Sequence, residues 1–157
     1  MTHSIRTVLW FDGGGLEAAQ FYVSLLPGSR IEDTYTPDPA KPPLTIDFTL
    51  GGVPYQILDA GPYFKLTEAV SISVTVPDQV EVDRLWTALL AGGGQESQCG
   101  WLKDRWGLSW QIVPEALLRL LTQPDRAAAD RTYQAMMQMV KLDVAALEAA
   151  SAGTAAA

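Results

Sequence analysis

The chain has 157 residues, one histidine, one cysteine and a formal net charge of −7, with 48% hydrophobic and 18% charged residues. That length suits one domain or two small modules sharing a core, and the composition is that of a folding chain. The lone His3 cannot build a histidine-rich zinc centre and the lone Cys99 excludes an internal disulfide. Eleven basic residues against 18 acidic ones argue against a broad nucleic-acid surface.

In chain order, residues 7–11 (TVLWF) read as a strand, rich in β-branched and aromatic residues. A glycine turn at 12–15 leads into a helix over 16–26, where Ala18, Phe21, Tyr22, Leu25 and Leu26 recur at helical spacing. Pro27 and Gly28 end it. Residues 30–35 are a candidate strand, and the four prolines of 36–43 mark a loop. Residues 44–50 alternate with period two and join 53–58 through Gly51 and Gly52 as a hairpin. The first half therefore reads β-α-β-β-β.

The second half repeats that order. Residues 70–76 alternate as a strand, and Pro77 and Asp78 open a helix carrying Val82, Leu85, Trp86, Leu89 and Leu90 inward. Gly92 to Gly94 end the helix, and 96–102 and 109–113 read as strands around a turn at 104–107. A weak echo supports the repeat: Val8 to Asp12 matches Val74 to Asp78 in position, and Phe21-Tyr22-x-x-Leu25 matches Leu85-Trp86-x-x-Leu89. Beyond the repeat, Pro114 opens a helix through Leu121 and Pro124-Asp125 opens another. Tyr133, Met136, Met137 and Val140 form one helical stripe, which Val144 and Leu147 extend. The stripe suits either core or a partner surface. Residues 150–157 are small, uncharged and expected to fray.

No long apolar stretch follows Arg6, and no window approaches the roughly 18 apolar residues of a membrane span, so the expectation is a soluble cytoplasmic protein with no membrane partner. The strand–glycine turn–helix at 7–26 invites a nucleotide reading, with Glu32 near the place of a ribose-binding acid. It lacks the G-x-G-x-x-G order, and a strand meander follows instead of a βαβα series. Asp47, Asp59 and Glu68 are candidate acid–base carboxylates or solvated surface. Lys103, Asp104 and Arg105 read as a solvated turn. Three tryptophans between 101 and 110 supply large apolar area, as core or as the wall of a cleft.

The segments 9–13 (LWFDG), 17–22 (EAAQFY), 27–31 (PGSRI), 56–62 (QILDAGP) and 64–69 (FKLTEA) lead to the most specific stretch, 99–114 (CGWLKDRWGLSWQIVP). Together they resemble the 3-demethylubiquinone-9 3-methyltransferase-like family of the vicinal-oxygen-chelate superfamily, which includes glyoxalase I, bleomycin-resistance proteins and extradiol dioxygenases. The likeness runs from about Arg6 to Leu147.

The resemblance implies an α+β fold of two paired β-α-β-β-β modules, over about 6–60 and 69–114, within a single domain. A C-terminal helical extension would span 115–149, and the assembly would be a homodimer. It also implies a divalent metal held by two side chains from each module. The matching positions here are Thr7, Gln56, Ser71 and Gln111, none of them histidine or carboxylate. The expectation is therefore a small-molecule-binding protein of the glyoxalase/bleomycin-resistance type that needs no metal or other cofactor. Trp10, Phe48, Gln56, Ser71, Trp101 and Gln111 would line its pocket. A metal-dependent lyase, isomerase or dioxygenase-like enzyme, with Asp59 or water completing the ligand set, remains the alternative. No S-adenosylmethionine-binding βαβ unit is recognisable for the methyl transfer in the family's name.

Overall fold

A computed structural model describes residues 4–154; His3 lies outside them. Among the described residues the chain is α+β, with two four-stranded sheets and five helices, and it divides into compact units at Leu66/Thr67.

Unit 1 runs β1 (Thr7–Phe11), α1 (Gly15–Leu25), β2 (Arg30–Tyr35), β3 (Thr45–Leu50) and β4 (Val53–Asp59), with sheet order β1-β4-β3-β2. The β1–β4 pair is parallel and the others are antiparallel. Alternation decides the faces. Leu9 and Phe11 of β1, Ile46, Phe48 and Leu50 of β3, and Ile57 of β4 are buried on one face. α1 covers that face through Ala18, Ala19, Tyr22 and Leu25. Val8, Trp10, Asp47, Gln56 and Leu58 share the opposite face by register.

α1 has no local side-chain cap; its N-cap is Gly14, in the left-handed region at φ 77°. The cap comes from the far end of β4 instead. Asp59 accepts the Gly13 and Gly15 amides at 2.6 and 2.8 Å, meeting donors that a helix start leaves unpaired. Gly15 is obligatory for this approach, since a Cβ there would stand 2.7 Å from the Ile57 side chain.

Unit 2 runs β5 (Ser71–Val76), α2 (Gln79–Leu90), β6 (Gln95–Glu96), β7 (Trp101–Lys103) and β8 (Ser109–Pro114), with sheet order β5-β8-β7-β6, the same topology. Here the helix carries its own cap, Asp78, which accepts the Glu81 amide at 3.0 Å. The buried face is Ile72, Val76, Leu102, Trp110 and Ile112 beneath Val82, Leu85, Trp86 and Leu89.

The strand expected over 96–102 is broken in two. Cys99 and Gly100 adopt φ 57° and 84°, which no strand accommodates, and the break supplies the fourth strand of the second sheet.

Three short helices follow: α3 (Glu115–Leu121), α4 (Arg126–Met136) and α5 (Val144–Ala152). Asp125 and Asp143 cap the last two. The helical stripe expected through Val140 ends at Met136, and the buried face of α4 is Ala128, Ala129 and Thr132. The chain leaves the helix because the Met139 and Val140 carbonyls accept the Cys99 and Gly100 amides, each at 2.7 Å. Tyr133, Met137 and Val140 stay exposed, while Leu142 is fully buried with Leu117, Leu120 and Leu147. Residues 150–152 belong to α5, so the fray expected from Ala150 is not found there; 155–157 lie outside the described residues.

Candidate functional site

In each sheet the face opposite its helix gathers the polar side chains. On the first, Gln56 donates from Nε2 to Asp47 at 2.6 Å, and the other Asp47 oxygen meets Arg6 at 2.7 Å. Trp10 lies on the same face. Its indole donates to the Gly61 carbonyl at 2.7 Å, and its ring meets the edges of the exposed Tyr63 and Phe64.

Thr7 does not join Gln56. In the parallel register it pairs Tyr55 and shares parity with Leu9 and Phe11; the residue beside Gln56 is Val8, which has no donor atom. Phe48 is displaced from the expected pocket as well. It is fully buried beneath α1, 6.5 Å from the Tyr22 ring and stacked at 5.6 Å on Tyr55. The physical reason is parity: Phe48 alternates with Asp47, so only one of them reaches the open face.

On the second sheet Ser71, Trp101 and Gln111 do come together. Trp101 pairs Gln111 in register, and Gln111 Nε2 donates to Ser71 Oγ at 2.8 Å, which leaves the amide oxygen as the acceptor it presents. Ser73 stands directly beside Gln111 on β5. Lys103 and Ser109 occupy the same face one step along, as a register pair. Lys103 forms an ion pair with Glu68, which holds the Glu68 carboxyl below its ordinary range.

The acid–base candidates separate on geometry. Asp59 is the α1 cap. Asp104, read as part of a solvated turn, is buried at 3% exposure: it accepts the Trp106 and Leu108 amides at 2.9 and 3.1 Å and the Trp110 indole at 2.9 Å. Of the three tryptophans, Trp110 is therefore core, Trp101 is half-buried on the open face, and Trp106 lies under the Arg105 guanidinium at 4.1 Å. The glycine turn before α1, where a phosphate would bind, already holds the Asp59 carboxylate. Glu32 is paired to Arg30.

The donor set on these faces is neutral amide and hydroxyl oxygen, with one carboxylate already in an ion pair. Divalent zinc, iron or nickel favours imidazole, thiolate or free carboxylate, so these residues do not fit such a metal. Among the described residues no group of three or more His, Cys, Asp or Glu is placed to hold a metal. No helix among them is long and apolar enough to cross a membrane.

The profile of the 3-demethylubiquinone-9 3-methyltransferase family matches residues 3–113. The chain belongs to that family. Its fold is the one shared by glyoxalase/bleomycin-resistance proteins. The PhnB protein of Bacillus cereus is 30% identical and superposes with a TM-score of 0.64, over 71% of this chain and 99% of that one. A glyoxalase/bleomycin resistance/dioxygenase family enzyme of Burkholderia phytofirmans shares the fold at 12% identity and TM-score 0.51, over 69% of this chain and 95% of that one. The fosfomycin resistance protein FosX of Listeria monocytogenes, solved with Mn(II) and sulfate, does so at 12% and 0.50, over 73% and 90%. No curated protein matches the chain. The family match stops at Val113, short of the α3–α5 extension that the resemblance was read to reach.

The Glu68–Lys103 pair, the Arg6–Asp47–Gln56 chain and the buried Asp104 were missed in the sequence. Only the place of Lys103 had a signal: a tight turn at 104–107 forces Lys103 and Ser109 into register, hence onto one face with Gln111.

Proposed function

We propose that this member of the family is a metal-independent small-molecule-binding protein of the glyoxalase/bleomycin-resistance type. Trp10 and Gln56 on the first sheet, and Ser71, Trp101 and Gln111 on the second, supply its ligand-facing groups. The observation that carries the reading is the pairing of a half-buried tryptophan with a hydrogen-bonded glutamine on the face of each sheet opposite α1 or α2. Tryptophan faces give affinity for flat apolar rings. Amides fixed by Asp47 and Ser71 orient a polar substituent without reorganising.

Support for metal independence is the donor chemistry: Val8 stands where a first ligand would face Gln56, and the Asp47 charge is neutralised by Arg6. The reaction in the family's name is not part of the proposal. We assign the protein to a cytoplasmic homodimer without nucleic-acid partners. The test is a thermal-shift screen of planar aromatic and quinone-like molecules on chelator-treated protein, with Gln56→Leu and Gln111→Leu beside it. The expected result is stabilisation that persists in chelator and falls in both variants. Stabilisation only after a divalent metal is restored, with one metal per chain by elemental analysis, would overturn it in favour of a metal-dependent enzyme.

A further inference from the structure

A cavity of about 110 Å³ opens on the second sheet, walled by Glu68, Gln95, Trp101, Lys103 and Ser109. It is larger than a single water requires. Ser109 is buried at 1% exposure, and its hydroxyl has no hydrogen-bond partner. A buried hydroxyl left in that state is destabilising unless something enters to meet it. Lys103 is its register partner on β7, so an ammonium and a hydroxyl stand side by side on one face.

We propose that this cavity is a carboxylate subsite, whose lysine the side chain of Glu68 engages until a ligand carboxylate displaces it. The proposal deepens the function proposed above and rests on it, because Trp101 serves both. Three observations select a carboxylate. Lysine offers only donors and serine can offer one, so the complementary group is an acceptor with two oxygens, and Lys103 already holds such a group in Glu68.

The other acid at the cavity does not oppose an anion. Glu96 pairs Leu102 on the helix-covered face and accepts the Trp86 indole at 3.0 Å, whereas its neighbour Gln95 shares the face of Lys103. Finally, Glu68 is replaceable. Its side chain is 64% exposed and precedes β5 on an exposed stretch, and an ion pair that open to water is held weakly. A ligand would set one carboxylate oxygen on Lys103 and the other on the Ser109 hydroxyl, with its body along Trp101. The Glu68 side chain would swing into solvent.

The experiment titrates sodium propionate, at constant ionic strength, into the full chain. Binding is followed by the indole N–H resonance of Trp101, assigned with Trp101→Phe. Removing the internal competitor in Glu68→Gln is expected to tighten propionate binding about fivefold, the scale of one exposed ion pair. Ser109→Ala is expected to weaken it about tenfold, and Lys103→Met to abolish it. Lys103→Gln is a second variant with the same expectation, should the methionine disturb folding.

Equal propionate responses in all variants, or none in Glu68→Gln, would overturn the subsite. Stabilisation of the same proteins by planar ligands is measured alongside. If it persists while the propionate response fails, only the subsite is lost; if it too is absent, the broader reading falls.

Discussion

Asp104 gathers three hydrogen bonds described above, and its value is a single-residue question. Two backbone amides and the Trp110 indole converge on its carboxylate within a buried turn. Asp104→Ala leaves all three donors without it, so a loss of about 3 kcal/mol in urea unfolding is expected. Asp104→Asn keeps the shape and is expected to lose less. Equal stability of wild type and alanine variant would refute that role. Asp83 offers a pH-dependent counterpart. Lys141 donates to it at 2.5 Å and Gln79 at 3.1 Å, and these bonds lower its pKa from the ordinary value. A lowered carboxyl pKa adds stability that is present above the unfolded-state value and lost as pH falls through the folded one. Asp83→Asn should therefore flatten part of the acid limb of stability against pH and leave the limb above pH ~6 unchanged. The pair is about half exposed, so the change is small.

At the scale of elements, Leu142 anchors the core of the C-terminal helices, and two amides tie the segment before it to residues 99 and 100. Leu142 is fully buried against Leu117, Leu120 and Leu147, and the Gly100 backbone lies so close that a Cβ there would stand 2.9 Å from Leu142. Leu142→Ala is expected to cost about 3 kcal/mol and to speed hydrogen exchange in α4 and α5 before the sheets. Uniform exchange across the chain would count against it. The elements themselves were largely legible. Period-two alternation located 44–50 and 70–76, and helical spacing located α1 and α2, because both patterns are imposed by burial of one face. The break at Cys99 and Gly100 was not legible, since it depends on carbonyls forty residues later. For the site, alternation gave the parity of Gln111 with Trp101. It could not show which parity in β3 faces α1, and Phe48 was misplaced for that reason.

For the whole molecule, the net charge of −7 is spread over both units and makes the compact state repel itself. Raising salt from about 10 mM to about 150 mM shortens the screening length from about 30 to about 8 Å. The melting temperature is expected to rise across that range, and a fall would mean that ion pairs outweigh the repulsion. The two units also differ in how each helix is closed. α2 has its capping residue immediately ahead of it, whereas α1 waits for Asp59, which ends the third strand after it. On a ribosome, where residues emerge one after another, the first helix must stay open at its start until the whole first unit has been made, and the second can close at once. The start of the first helix is thus capped only once residue 59 has been made, whereas the start of the second is capped by a residue made just before it.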